Sequence, residues 1–261
     1  MIARGRVVVE ASGGHRCRLA CLRSEGPLVL RPTGDGVVHL VSGAGGPLGG
    51  DVLTIEIVVG PGAELTLRTV AAAVALPGPG PSVIEIDARV GAGGVLRWLP
   101  EPTVAAAGCD HRTRARVMVG AGARLVWREE LVQGRHGEVG GSISSRLAVD
   151  VDGRPLVRHQ VDSSAGDTWA SPAVGAGARC VGTLLVVDPT WIGTGPPAPV
   201  VLGEGAALLP LAGPAVQVVA LAAEAITLRR FLDAGEAAVS PQPEVPSRGR
   251  PGPGSPVLIG P

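Results

Sequence analysis

The sequence predicts a mainly β protein, a β-helix-like or layered β-sheet scaffold with a short C-terminal amphipathic helix. Three observations predict it. First, a glycine-rich phrase recurs, as Val59-Gly-Pro-Gly-Ala63, Val90-Gly-Ala-Gly-Gly94, Val119-Gly-Ala-Gly-Ala123 and Val174-Gly-Ala-Gly-Ala178, with a weaker echo at Leu202-Gly-Glu-Gly-Ala206. The intervals are 31, 29, 55 and 28 residues, and a degenerate copy, Val151-Asp-Gly-Arg-Pro155, falls inside the long one. Such spacing marks stacked units that bury their apolar faces against one another. Second, each phrase is followed by period-two alternation, the signature of a strand. Leu65, Leu96, Leu125 and Cys180 share one register, and Leu67, Trp98 and Trp127 share the position two residues on. Third, Val218, Leu221, Ala225, Leu228 and Leu232 fall at helical spacing between Pro214 and Gly235. That predicts a helix over about 215–234 with a glycine stop.

The glycines read as turns, because glycine supplies a positive φ at no steric cost. Ahead of the first phrase, Val37 to Val41 reads as a strand, Ser42 to Asp51 as a loop and Val52 to Val59 as a second strand. Val83 to Val90 sets Ile84, Ile86 and Ala88 against Glu85, Asp87 and Arg89, a half-buried strand. The most apolar region, Val200 to Leu228, is interrupted by Glu204, Pro210, Pro214, Gln217 and Glu224. It reads as buried strands plus a helix and not as a membrane span. Residues 1–238 form one predicted domain, and 239–261, dense in Pro and Gly, a disordered tail.

Composition removes several functions. Basic and acidic side chains balance at 23 each, so no excess charge draws the chain to nucleic acid or anionic lipid. The chain has no Lys, so no phosphate loop of the Gly-Lys-Ser/Thr type exists. Four cysteines, Cys17, Cys21, Cys109 and Cys180, are too scattered for a secreted disulfide framework and point to a reducing cytoplasm. Met1 to Glu10 lacks the apolar run of a signal peptide.

Chemistry-bearing residues fall in a few clusters. His15, Cys17 and Cys21 lie within seven residues, and Cys109-Asp110-His111 forms a second group, but neither spacing completes a tetrahedral metal set. Ser142, Ser144, Ser145, Ser163 and Ser164 cluster without a Gly-x-Ser-x-Gly elbow. The densest charged stretch runs from Arg128-Glu129-Glu130 through Arg135, His136, Glu138, Arg146, Asp150, Asp152, Arg154 and Arg158 to His159. Mixed charge at alternating positions predicts a solvated sheet face laced with weak ion pairs. The functional alternative is a polar path for a hydrated divalent cation, with Glu129, Glu130 and Glu138 as candidate carboxylates.

Four segments carry a family resemblance. Gly45-Gly-Pro-Leu-Gly-Gly-Asp-Val-Leu53, containing Gly49, Gly50 and Asp51, resembles the Gly-Gly-x-x-Gly-Gly-Asp-x-Leu signature of the UreD (UreH) urease accessory proteins. Leu96-Arg-Trp-Leu-Pro-Glu-Pro-Thr103, containing Trp98, Leu99, Pro100 and Glu101, is similar to their Trp-Leu-Pro segment. Trp127 to Glu138, with Arg128, Glu129, Gly134, Arg135 and Glu138, resembles their Glu-x-x-x-x-Gly-Arg-x-x-x-Glu region. Ser145 to Leu156, with Arg146, Asp152 and Gly153, is similar to the strand-turn-strand that follows. The resemblance implies a cytoplasmic, non-enzymatic scaffold that bridges apo-urease and its structural subunits to UreF and UreG. It also implies a water-filled path for nickel, bound only in transit, with no tightly held cofactor; the GTPase chemistry belongs to UreG. Two competing readings are a β-solenoid or jelly-roll module for a ligand such as carbohydrate, which predicts exposed aromatic platforms, and a hydrolase with a triad assembled from distant residues.

Overall fold

The computed structural model describes residues 1–13, 17–163, 169 and 171–240. They form two facing sheets and a helix packed outside the second. Across the first sheet the order is β14 (Arg154–Asp162), β13 (Ser142–Val151), β11 (Asp110–Val119), β8 (Ser82–Val90), β5 (Val52–Val59), β1 (Ile2–Ala11) and β2 (Cys17–Ser24). Across the second it is β16 (Val200–Gly203), β17 (Ala206–Pro210), β18 (Ala215–Ala222), β15 (Cys180–Val187), β12 (Arg124–Gln133), β9 (Val95–Leu99), β6 (Glu64–Thr69), β4 (Val37–Ser42) and β3 (Leu28–Gly34). Short strands β7 (Ala73–Ala75) and β10 (Thr103–Ala105) extend the second sheet beside β12. The helix is α1 (Ala225–Val239). No helix among the described residues is long and apolar enough to cross a membrane.

The centre of the molecule is a parallel coil, as the repeat predicts. The chain climbs β5, β8, β11 and β13 in the first sheet and β6, β9 and β12 in the second, each parallel to the last. The first three glycine phrases are the turns between the sheets, and they stack. Gly91 N–H donates to Val59 O (2.7 Å) and Gly120 N–H to Val90 O (2.8 Å). A Cβ at Gly91 would stand 2.7 Å from the Pro61 nitrogen, so only glycine allows this approach. In-register turns fix in-register strands. Leu65, Leu96 and Leu125 lie side by side, as do Leu67, Trp98 and Trp127, all buried. Trp98 stacks on Trp127 with centroids 5.3 Å apart, a geometry that contributes about 0.5–1.5 kcal/mol beyond area burial.

The repeat then ends, which corrects the expected register of Cys180. At the degenerate copy, Asp152 (φ +49°) and Gly153 (φ +72°) make a two-residue hairpin turn, and β14 runs back along β13. The chain therefore re-enters the second sheet from the end where β12 finishes. β15 pairs antiparallel to β12, setting Cys180 opposite Val132 and not beside Leu125. The last echo is the β16–β17 hairpin.

The helix also needs correction: residues 215–222 are strand β18, and α1 starts at Ala225 and runs to Val239. Pairing with both β15 and β17, through β-branched Val216, Val218 and Val219, overrides the helical spacing of the apolar residues. Gly235 does not stop the helix. It lies inside α1, buried, where a Cβ would overlap the Val218 side chain. The predicted tail from 239 onward lies, beyond Ser240, outside the described residues.

Burial is layered. One core cluster fills the space between the sheets, and a second joins β15, β17 and β18 to Leu228 and Leu232 of α1. The second sheet is thus covered on both faces where α1 lies, and all eight residues of β15 are buried. The Gly235 contact gives a direct test. Alanine is favoured over glycine in a helix by about 1 kcal/mol, yet overpacking costs about 1–3 kcal/mol. Gly235→Ala should therefore lower the urea midpoint, and adding Val218→Ala should restore part of the loss; a stabilised single variant would contradict the packing described.

Candidate functional site

Strand β12 organises the site because its alternation sends charged side chains to two different buried places. Trp127 and Glu129 face the first sheet, whereas Arg128 and Glu130 face α1. The expected solvated charged face is therefore only partly formed. Arg135 with Glu138 and Arg158 with Asp150 lie at the surface, but Arg128 and Glu130 are 5% and 3% exposed.

Glu129 borders a cavity of about 110 Å³ between the sheets, walled by Ile55, Ile84, Ile86, Trp98 and Leu131 and reached by Thr113 and Ser145. Its carboxylate accepts Trp127 Nε1–H (3.2 Å) and Ser145 Oγ–H (3.0 Å). Burial raises its pKa, and these two donors offset the rise only in part. Among the described residues no cation pairs with it. Other buried carboxylates do have a cation: Glu130 meets Arg229 (2.6 Å), Asp188 meets Arg124 (2.5 Å) and Asp51 meets the Met1 amino group (2.7 Å). Glu129 is thus a half-buried carboxylate held by neutral donors and facing open space.

On the other face of β12, Glu130 anchors the helix. Its Oε1 is shared by Arg229 Nε (2.6 Å) and Arg128 Nε (3.1 Å), and Arg229 also reaches Glu101 (3.1 Å). Arg128 extends to Asp233 (3.6 Å) and to the Pro100 carbonyl (3.4 Å), while Arg97 pairs with Glu236. Desolvation raises the Glu130 pKa, opposed by the two arginines. The Glu130 Oε2 atom is buried without a hydrogen-bond partner. Glu101 and Glu130 line the same cavity as Glu129, so three carboxylates border it from two sides.

Glu138 is not brought to this place. It lies in the turn after β12, where Arg135 donates from its backbone N (3.0 Å), Nε (2.8 Å) and Nη2 (2.8 Å). These bonds hold its pKa down at about 2, so it remains ionised wherever the protein is studied. It is a turn lock. Of the three candidate carboxylates, Glu129 and Glu130 share the cavity and Glu138 stands apart.

The remaining motif positions take separable tasks. Gly49 packs against Gly78, where a Cβ would lie 2.5 Å from its nitrogen, and Gly50 has φ +92°. Asp51 is buried, which would raise its pKa, but the Met1 amino group and the Leu48 N–H bring it below the ordinary value. Gly134, Asp152 and Gly153 occupy positive-φ turns. Leu99 joins the core beneath α1, and Arg146 points outward from β13.

The two Cys/His groups do not converge. A bulge in the β1–β2 pairing sets Leu19 opposite Val9 but Cys21 opposite Val8, which turns Cys17 and Cys21 to opposite faces; His15 lies outside the described residues. Asp110 turns out to Arg112 (2.9 Å), and His111 turns in to Ser82 Oγ (2.8 Å) and Thr113 Oγ1 (3.3 Å). Burial lowers the His111 pKa to about 4, so it is neutral near pH 7. Among the described residues no cluster of three or more His, Cys, Asp or Glu can hold a metal ion. The aromatic platform of a carbohydrate module is also missing at Trp98 and Trp127, which stack inside the core.

Sequence reasoning missed Arg229 and Ser82, and it named Ser145 and His111 without their partners Glu129 and Ser82. Arg229 and Asp233, four residues apart beside Leu228 and Leu232, carried a signal for the first: charge next to an apolar helical stripe. Glu129 supplies the test here. Its folded pKa is raised, so its contribution to stability is full below the ordinary carboxylate value and lost as pH rises through the raised value. Glu129→Gln removes the charge while its amide oxygen still accepts from Trp127 Nε1–H and its amide N–H can donate to Ser145 Oγ. The variant should be more stable than the parent at pH 8 by about 1 kcal/mol, roughly 2–4 °C in Tm, and the difference should vanish as pH falls below the ordinary carboxylate value. A pH-independent difference would refute the uncompensated charge.

Comparison with known proteins follows the same lines. The sequence profile described as "UreD urease accessory protein" matches residues 2–246. A urease accessory protein UreD of Parafrankia sp. is 44% identical, covering 88% of this chain and 86% of the relative. One from Frankia alni is 45% identical, over 89% and 91%. A urease accessory protein UreD 3 of Streptomyces griseus is 46% identical, over 88% and 94%. The glycine turns, the Trp-Leu-Pro segment and the β12 carboxylates belong to a chain that is a member of the UreD urease accessory protein family.

Proposed function

We propose that this chain is a non-enzymatic scaffold for urease maturation in the cytoplasm, bridging apo-urease to the UreF and UreG partners while nickel passes through its inter-sheet cavity. Membership of the UreD family supports the maturation role. The observation that carries the cation path is Glu129, a half-buried carboxylate held by neutral donors and facing a cavity. A borderline cation such as Ni(II) accepts carboxylate and water as ligands, and about 110 Å³ accommodates several waters.

The surrounding residues give Glu129 a defined role. Trp127 and Ser145 orient its two oxygens, while the Ile55, Ile84, Ile86 and Trp98 walls make its surroundings largely apolar. A passing cation would supply the positive charge that the protein withholds. On the far wall Arg229 neutralises Glu101 and Glu130, which keeps the cavity from collecting an acid cluster that would trap the ion.

The test is co-expression of the urease structural subunits with the other accessory proteins, with and without this chain. Urease activity should depend on its presence, and a pull-down should recover it with apo-urease. Equal activation in its absence would sink the proposal.

A further inference from the structure

The outer face of the first sheet carries its charge in columns. β5 and β8 present Glu56, Glu85 and Asp87, with Arg89 at the end of β8, and β11, β13 and β14 present Arg112, Arg114, Arg116, Arg146 and Arg158, with Asp150 beside Arg158. Within the basic column the parallel register sets Arg114 directly beside Arg146. Like charges directly opposite on neighbouring strands destabilise a sheet. Nearby arginines are firmly engaged: Arg112 by both oxygens of Asp110 (3.2 and 2.9 Å), and Arg158 by Asp150 (2.5 Å) and the Val149 carbonyl (3.0 Å). Arg114 and Arg146 are not. The carboxylate of Glu85 is 3.7 Å from Arg114, and Arg146 donates to the neutral Gln160 carboxamide (3.2 and 2.8 Å).

A depression of about 260 Å³ lies between β11 and β13 at this pair, lined also by Ser142 and Ser144, with Asp110 and Asp162 at its rim. Both arginines line this depression beside hydroxyl donors, Arg114 leaning toward β8 and Arg146 toward β14, and each guanidinium presents a planar fork that can take a carboxylate in bidentate geometry. We propose that Arg114, Arg146 and this depression dock an acidic segment of a protein partner, whose carboxylates pair with the two guanidiniums. The neighbouring acidic column selects the class of partner. Glu85 and Asp87 lie on the strand next to β11, about 4.8 Å away, and repel a continuous polyanion or an anionic membrane while leaving room for one or two discrete carboxylates. The charge balance of 23 and 23 likewise provides no long-range field for nucleic acid.

The test uses the full chain and three probes: a fluorescent octapeptide of alternating Glu and Ala, a single-stranded oligonucleotide, and phosphatidylserine vesicles. The peptide should bind at low ionic strength and weaken with added salt. Binding should fall at least tenfold in Arg114→Gln/Arg146→Gln and in Arg146→Met, which retains the aliphatic stem, and stay unchanged in Arg4→Gln on the distant β1. Neither oligonucleotide nor vesicles should discriminate parent from double variant. Absence of peptide binding, binding indifferent to both arginine variants, or tighter arginine-dependent binding of either other probe would overturn the proposal.

Discussion

The backbone hydrogen bonds between stacked glycine turns are the constraint on which the rest depends. Gly60, Gly91 and Gly120 bring successive turns close enough for N–H groups to meet the carbonyls of the coil before. Once the turns are in register, so are the strands, and a one-residue slip would move every inward side chain outward. The Leu65–Leu96–Leu125 row and the Trp98–Trp127 stack are consequences of that register. So is the position of Glu129. It stands two residues beyond Trp127 on the same face, and Ser145 reaches it from the opposite sheet because β13 continues the coil.

The same register forces charge into the interior. With the core on one face of β12 and α1 on the other, Trp127, Arg128 and Glu130 are buried and Glu129 between them is half-buried. The fold compensates Arg128 and Glu130 with Arg229, Asp233 and Glu101, an ion network that ties the helix to the sheet. It leaves Glu129 to neutral donors. A carboxylate withdrawn from water without a cation costs stability, and this one lies beside the cavity.

How much of this was legible in the sequence follows from what period two can report. Strand positions, glycine turns and the inward register of Leu and Trp are local properties, and the structure has them where the sequence places them. Direction is not local. The fourth glycine phrase has the composition of the first three, yet β15 runs the other way because β14 had already reversed the chain. The helix boundary was hidden for a related reason: Val218, Leu221, Ala225, Leu228 and Leu232 satisfy helical spacing, but strand pairing claims the first two. The burial of Arg128 and Glu130 became visible only when α1 was in place, because alternation assigns a face without saying what covers it. Glu138 shows the converse, an acid in the right stretch whose turn commits it to Arg135.

The central claim is that Glu129 is a working group of the cation path and not a tolerated structural defect. It is tested most directly by nickel content per active site in urease purified from cells that co-express the maturation proteins with Glu129→Leu, with Glu138→Ala as the control. The account predicts a several-fold loss of nickel with Glu129→Leu, while the accessory complex still assembles, and parental nickel with Glu138→Ala. Parental nickel with Glu129→Leu in an intact complex would contradict it.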